Sequence, residues 1–381
     1  MKKILMYASV ASMIKQFNMN NISILQSMGY KVDVACNFKD GNSIPKYEVE
    51  KFKSVLKEKN IEFYQIPIPR KLFDFKNMIR SYFITLNILQ KNEYNIVHCH
   101  SPIGGAIVRL ANKGSKNYKL TKMIYTAHGF HFFNGNNKMK NFIFKSIESY
   151  LSKFTDVIIT INKEDYNAAK KFKLKPNGCV RYVPGIGINL DEIKNIERNK
   201  KKLCEMINIK DDSILMLSVG ELNVNKNHKV IIKAMPFLPY NFHYLICGVG
   251  NLKEDYLELS EKLGVENRLH LLGFRSDVLE IMKSCDVFVF PSIREGLSVA
   301  LMEAMACKLP CIVSNIRGNV DLIDENGGGL FEYDNVESFV NSIKRNEINK
   351  LQEIGAHNFH VIQSFDVKII NGKMKEIYRL L

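Results

Sequence analysis

The chain has 381 residues, 46% hydrophobic and 24% charged, which suits two globular domains with a core each and excludes a disordered or collagen-like chain. No apolar run reaches the roughly 18 residues that a spanning helix needs, so an integral membrane protein is not expected. The net charge of +15 is uneven: residues 1–190 carry 30 Lys+Arg against 12 Asp+Glu, and residues 191–381 carry 24 against 27, so the first half alone calls for an anionic surface or substrate.

KILMYAS, residues 3–9, reads as a first strand rather than a cleaved signal, because Tyr7, Ser9 and Ser12 interrupt the apolar segment and strand-helix-strand patterning continues beyond it. A helix bearing Phe17, Ile22, Ile24, Leu25 and Met28 leads to the strand YKVDVAC. A helix from Tyr47 to Lys59, the strand IEFYQIPI and a basic amphipathic segment from Lys71 to Lys91 follow. YNIVHCH is a strand ending in His98 and His100, SPIGGAIVRLANK opens a helix, and KMIYTAHGF is a strand ending at His128-Gly129. A helix from Lys138 to Phe154 precedes the strands DVIITIN and CVRYVPG. On that helix Ile143, Ile147, Tyr150, Leu151 and Phe154 form one stripe, expected in the core, with Lys138, Phe142 and Lys145 on another face.

Polar residues 191–212 interrupt the pattern, which places a linker near Gly185–Asp191. The second half restarts with the strand SILMLSVG and a helix after Asn227. HYLICGVG, RLHLLGF, VFVF and CIVS are further strands separated by helices, and a helical stretch ends the chain. The alternation predicts an α/β protein with a doubly wound parallel sheet. VFVF, residues 287–290, reads as a strand buried on both faces. Ser298 is placed to cap a helix carrying Leu301, Met302, Met305 and Ala306. Glu295 lies in the loop at the strand's carboxyl end, and Glu303 follows eight positions later on the helix. Ligands of open α/β sheets bind at that edge, and a helix N-terminus beside it attracts phosphate. Alone, a helix-surface Glu is usually just solvated, and a loop Lys such as Lys226 likewise.

The full string is more specific. Pro291-Ser292, Glu295-Gly296 and Glu303-Ala304-Met305-Ala306 resemble the E-x7-E motif of the family 4 (group 1) retaining glycosyltransferases of GT-B fold. IVHCHSPIGGAI, YTAHGFHFF, TINKEDY and VPGIGIN resemble its exopolysaccharide and capsule subgroup. The resemblance implies two Rossmann-like domains facing a cleft: residues 1–188 for the acceptor, residues 189–361 for the donor, and a helix at about 362–381 packing back on the first. It implies a retaining hexosyl- or N-acetylhexosaminyl-transferase. The donor is a nucleotide-diphosphate sugar, UDP-linked, and the acceptor a polyprenyl-diphosphate-linked saccharide of bacterial exopolysaccharide or capsule synthesis.

The same resemblance assigns Glu303 to the ribose hydroxyls, Glu295 to the transferred sugar, Lys226 to the leaving diphosphate and His128 to the orientation of the sugar. Gly220, Gly248 and Gly250 border the donor, Phe274 and Arg275 mark the segment whose main chain reads the base, and Gly296, Leu297 and Ser298, where the loop joins the helix, are donor-binding as well. Three departures stand out. Glu221 occupies the Arg place of G-R-x4-K, so Arg294 or the helix N-terminus would have to compensate. Lys308 stands where Gly is common, and no glycine-rich loop follows the first strand, so acceptor binding should differ.

No metal is expected, since D-x-D is absent and no acidic cluster completes His98, His100, His128 and His131. Nor is any cofactor expected beyond the donor. The eight Cys contain no CxxC pair and sit mostly in apolar strings, as in a reduced cytosolic protein. The basic half is expected on the anionic inner face of the cell membrane, through Arg70, Lys71, Lys76 and Arg80 interleaved with Leu72, Phe73, Phe75 and Phe83, and through Lys138, Phe142 and Lys145. Two alternatives remain open. A UDP-sugar 2-epimerase of the same fold would need acid/base carboxylates in the first domain. A nucleic-acid-binding protein would suit the charge, but no recognised RNA or DNA module is present, and no nucleic-acid partner is expected.

Overall fold

The computed structural model describes residues 2–70, 74–345 and 350–381, so Lys71, Leu72 and Phe73 of the amphipathic segment lie outside the described residues. The chain divides into two compact units: residues up to Ile186 with Ile370–Leu381, and Gly187–Ile369. The return to the first unit comes later than the expected position near 362. Ile188 donates to Phe365 O and accepts from the Val367 N–H, which holds residues 365–367 in the second unit.

The first unit is a sheet of seven parallel strands: β1 (Lys3–Val10), β2 (Lys31–Asn37), β3 (Glu62–Gln65), β4 (Ile96–His100), β5 (Lys122–Ala127), β6 (Val157–Thr160) and β7 (Cys179–Tyr182). Their order is β3-β2-β1-β4-β5-β6-β7, so the winding reverses between β1 and β4, where open sheets form their binding crevice. β3 is shorter than the eight residues expected, since Pro67 and Pro69 lack the N–H a ladder needs. The helix expected around Phe17–Met28 is two helices, Ala11–Phe17 and Met19–Ser27, joined at the buried Asn18.

Register explains which side chains meet. Met6 of β1 pairs with His98 of β4, and His100 pairs with Thr126 of β5. Side chains alternate along a strand, so Met6, His98, His100 and Thr126 share one face of the sheet. The terminal helix Val367–Arg379 supplies Ile370, Met374, Ile377 and Tyr378 to the core on that face.

On the other face the helix Lys138–Ser152 corrects an expectation. It buries Glu148, Leu151 and Ser152, while Ile143, Ile147 and Tyr150, expected in the core, are 46–49% exposed. The cause is polar. Arg109, fully buried on the helix Pro102–Lys113, donates to Glu148 at 2.9 Å, and the Tyr125 hydroxyl donates to the other carboxylate oxygen at 3.2 Å. An unpaired buried guanidinium would be costly, so Glu148 turns inward and leaves Ile143, Ile147 and Tyr150 outside, while Leu151 and Phe154 of the same stripe are buried as expected.

The second unit is a sheet of six parallel strands: β8 (Ile214–Val219), β9 (Phe242–Cys247), β10 (Leu269–Gly273), β11 (Val287–Phe290), β12 (Cys311–Ser314) and β13 (Gly328–Phe331), in the order β10-β9-β8-β11-β12-β13. The polar stretch 191–212 holds two short helices, Leu190–Lys194 and Lys200–Met206. VFVF is buried throughout, as a central parallel strand requires. Among the described residues no helix is long and apolar enough to cross a membrane.

Candidate active site

In the second unit the site grows from two loops at the carboxyl ends of β8 and β11. The loop after β8 reads E-L-N-V-N-K-N, and its three Asn each close a contact. The Asn223 side-chain oxygen accepts the Lys226 N–H at 2.9 Å. Asn225 accepts the Ile293 N–H on its carbonyl at 2.8 Å and donates its side chain to Arg294 O at 3.1 Å. Asn227, in the left-handed region at φ 54°, donates to Pro291 O at 3.1 Å and to Tyr333 O at 2.7 Å. The two loops are thereby fixed side by side, and Lys226 Nζ lies 2.8 Å from Glu295 Oε1 and 4.6 Å from the centre of the Phe290 ring.

Three of the glycines expected at the donor serve close packing. A Cβ on Gly220 would fall 2.9 Å from Lys226 Cε, so its absence leaves room for the lysine stem. A Cβ on Gly248 would fall 1.8 Å from Gly220 O, and one on Gly250 2.3 Å from Leu222 O. The G-x-G after β9 is therefore where one strand end meets the next at backbone distance.

Beyond Glu295 and the half-buried Gly296, Leu297 and Ser298 are buried, and Ser298 Oγ accepts the Leu301 N–H at 3.3 Å, capping the helix Val299–Ala306. Glu303 on that helix is half-buried, and its carboxyl has no hydrogen-bond partner among the described residues. Burial, and then the nearby Glu192, push the Glu303 carboxyl up to about 7. Phe274 is 82% exposed beside β10, and Arg275 is held by Asp277 through two contacts of 2.7 and 2.5 Å. Glu221 and Arg294 are both exposed.

Sequence reasoning missed the three Asn and the buried Arg317, which donates from Nε to Glu295 O at 3.3 Å. The Asn-x-Asn-x-Asn spacing around Lys226 was the available signal. Arg317 had none, because it reaches Glu295 from the loop after β12.

In the first unit His128 stands just beyond β5. His100 Nδ1 lies 3.1 Å from His128 Nε2, and His100 Nε2 lies 3.2 Å from the Met6 sulfur. His98 lies against His100 with ring centres 4.3 Å apart and the rings tilted by 37°. Its ring nitrogens lie 2.9 Å from the Tyr378 hydroxyl and 2.8 Å from the Thr126 hydroxyl. Burial holds all three imidazoles neutral: His98 is pushed down to about 3, His128 to about 4, and His100 well below the usual range. Phe17, Asn18 and Gly185 join His100, Thr126 and His128 around a cavity of about 30 Å³, room for one water. His131 stands apart, edge-on to Phe144 at 5.2 Å. Among the described residues no group of three or more His, Cys, Asp or Glu side chains is arranged to hold a metal ion.

The second unit can thus offer an ammonium, two carboxyls and a helix N-terminus to an anionic, hydroxyl-bearing ligand. The first can offer a neutral imidazole.

The chain matches two family descriptions. "Glycosyl transferases group 1" matches residues 199–356, and "Glycosyl transferase 4-like" matches residues 3–162. It is 35% identical over 350 residues to a putative glycosyltransferase EpsD of Bacillus subtilis, covering 90% of this chain and 87% of that one. It is 31% identical over 325 residues to a UDP-Gal:alpha-D-GlcNAc-diphosphoundecaprenol alpha-1,3-galactosyltransferase of Escherichia coli, covering 80% and 79%. Among solved structures, Anabaena Alr3699/HepE in complex with UDP aligns with a TM-score of 0.75 at 17% identity, over the whole of both chains.

Proposed function

The chain belongs to the group 1, GT4-like glycosyltransferase family of GT-B fold, and on that premise we propose that it transfers a sugar with retention from a UDP-sugar to an undecaprenyl-diphosphate-linked saccharide. The observation that carries the reading is the Lys226–Glu295 pair at 2.8 Å, at the mouth of the Ser298-capped helix that bears Glu303. Glu303 binds the ribose hydroxyls. Lys226 and the helix N-terminus take up the charge that grows on the diphosphate as it leaves, which is where such donors act on rate. No divalent ion is needed for that task. Glu295 holds the transferred sugar and His128 orients it. The acceptor hydroxyl attacks C1 on the face the diphosphate leaves. The bond from C1 to the diphosphate oxygen breaks as the bond to the acceptor oxygen forms, and the leaving phosphate oxygen takes the hydroxyl proton.

The acceptor class comes from the E. coli relative, whose name specifies a diphosphoundecaprenol substrate, and the polysaccharide setting from relatives such as a capsular polysaccharide biosynthesis glycosyltransferase of Staphylococcus aureus. A lipid-linked acceptor requires a peripheral seat on the inner face of the cell membrane. Two exposed helix faces support it: Phe75, Ile79 and Phe83 on Phe75–Lys91, and Met139, Phe142, Ile143, Ile147 and Tyr150 on Lys138–Ser152. Purified protein incubated with UDP-sugars and an undecaprenyl-diphosphate-linked monosaccharide should release UDP and give a product with the donor's anomeric configuration. An inverted product, or an epimerised sugar nucleotide formed without acceptor, would overturn the reading.

A further inference from the structure

His128 has one proton to place on two ring nitrogens, and the neighbours on its sheet face decide where it goes. His100 lies between His128 and Met6, with Nδ1 3.1 Å from His128 Nε2 and Nε2 3.2 Å from the Met6 sulfur. A thioether sulfur has lone pairs and no proton, so it can only accept. The His100–Met6 contact is favourable only when His100 carries its N–H on Nε2. Both imidazoles are neutral and hold one proton each, so His100 Nδ1 is then a bare acceptor, and the N–H between the two rings belongs to His128 Nε2. The reverse arrangement would set the lone pair of His100 Nε2 against those of the sulfur. His98 is under no such constraint, because both its partners are hydroxyls, which turn to donate or accept as required.

We propose that Met6 and His100 are positioning residues that hold His128 with its proton on Nε2, so that Nδ1 meets the substrate as a hydrogen-bond acceptor. The inference rests on the assignment of His128 to the sugar site. Nδ1 has no hydrogen-bond partner among the described residues. It takes a hydrogen bond from a sugar hydroxyl and has none to give, so a neutral hydroxyl suits this place and the carboxylate of a uronic acid does not. In many catalytic histidines a carboxylate or carbonyl in direct contact fixes the tautomer; here Met6 fixes it through His100.

The test is ¹⁵N NMR of the histidine-labelled full-length protein, with couplings from the ring carbons' hydrogens identifying which nitrogen is protonated. His100 and His128 should both carry Nε2–H in the wild type. Met6→Leu keeps the bulk and removes the acceptor; a second His128 population protonated on Nδ1 should appear, and kcat should fall about two- to tenfold with donor KM moving less. His100→Gln can accept from His128 Nε2–H through its amide oxygen and should keep kcat within about tenfold of wild type, while His100→Leu should fall further. A wild-type His128 protonated on Nδ1, or the same His128 tautomer with and without Met6, would overturn the proposal. The spectra need no substrate. Tautomers as expected in a protein with no transfer activity would therefore sink the sugar-site assignment and not the relay.

Discussion

In the proposed site, Glu303 has to lose a proton before it can accept from both ribose hydroxyls. Its carboxyl is pushed up to about 7 by burial and by Glu192, so it is largely neutral at about pH 6 and largely ionised at about pH 8. Donor affinity should therefore weaken on acidification through that window, measured as the Kd of UDP-sugar. Glu303→Gln should remove the pH dependence and cost roughly 2–4 kcal/mol of transition-state stabilisation. A pH-independent Kd in the wild type would refute the ribose assignment. Lys226→Ala should lower kcat by roughly 10²–10³-fold, and EDTA should leave wild-type transfer unchanged. Loss of activity in EDTA restored by Mn²⁺ would show that a metal, not Lys226, neutralises the diphosphate. Glu295, Glu303 and Lys226 could be named before the structure because the short motifs that carry them resemble those of a known family. The contact of His100 with Met6 could not, since it depends on strand register across 94 residues of chain.

At the scale of the element, the helix Lys138–Ser152 shows where periodicity stops deciding. Apolar residues lie on two of its sides, and a 3.6-residue repeat does not say which side faces the sheet. The buried Arg109, with its guanidinium 4.0 Å over the Tyr125 ring, settles it by drawing in Glu148. Glu148→Ala should thus destabilise the first unit by about 3–5 kcal/mol, more than truncating an exposed apolar neighbour such as Ile147, in urea unfolding at unchanged m. Equal, small effects of the two substitutions would contradict the anchor. The helix Val299–Ala306 offers the opposite experiment. Just past its C-terminus Lys308 sits at φ 63°, a conformation glycine adopts freely and lysine does not. Lys308→Gly should stabilise by roughly 0.5–1 kcal/mol, partly offset by the looser unfolded chain and the lost contact of Lys308 with Phe359, and read as a higher urea midpoint. The motif around Glu295 had pointed to this position through its missing glycine; the left-handed backbone is the reason.

Over the whole molecule, charge divides with the fold. The unit formed by the N-terminal residues and Ile370–Leu381 holds 33 Lys+Arg against 13 Asp+Glu, and the unit Gly187–Ile369 holds 21 against 26. The basic unit also carries the exposed stripes, with Phe142 72% exposed between Lys138 and Lys145. Each basic side chain near an anionic leaflet contributes about 1 kcal/mol. An Arg80/Lys138/Lys145→Glu triple variant should therefore bind phosphatidylglycerol vesicles at least roughly a hundredfold more weakly in co-sedimentation, and Phe142→Ser should weaken binding at high salt as well as low. Equal partitioning onto neutral and anionic vesicles, or none onto either, would assign the basic surface to something else. Sequence composition had disclosed the asymmetry. It had not disclosed which apolar face is uncovered, because that follows from one buried ion pair.

The terminal helix that carries Tyr378 has a consequence for biosynthesis. Residues up to Ile186 leave the ribosome first, yet the sheet face holding Met6, His98 and His100 waits for Ile370, Met374, Ile377 and Tyr378 to cover it. At about 5–20 residues per second, translating Gly187–Ile369 takes on the order of 10–40 s. Through that interval the nascent first unit exposes the part of this face that the terminal helix covers, while Ile14, Ile22, Leu25, Phe52 and Leu56 of the early helices pack on the rest. The second unit, continuous in sequence, is free to fold as soon as it emerges. The later-made half can therefore be finished before the earlier one, and a chain released before Ile370 would carry a complete second unit and a first unit that never closes.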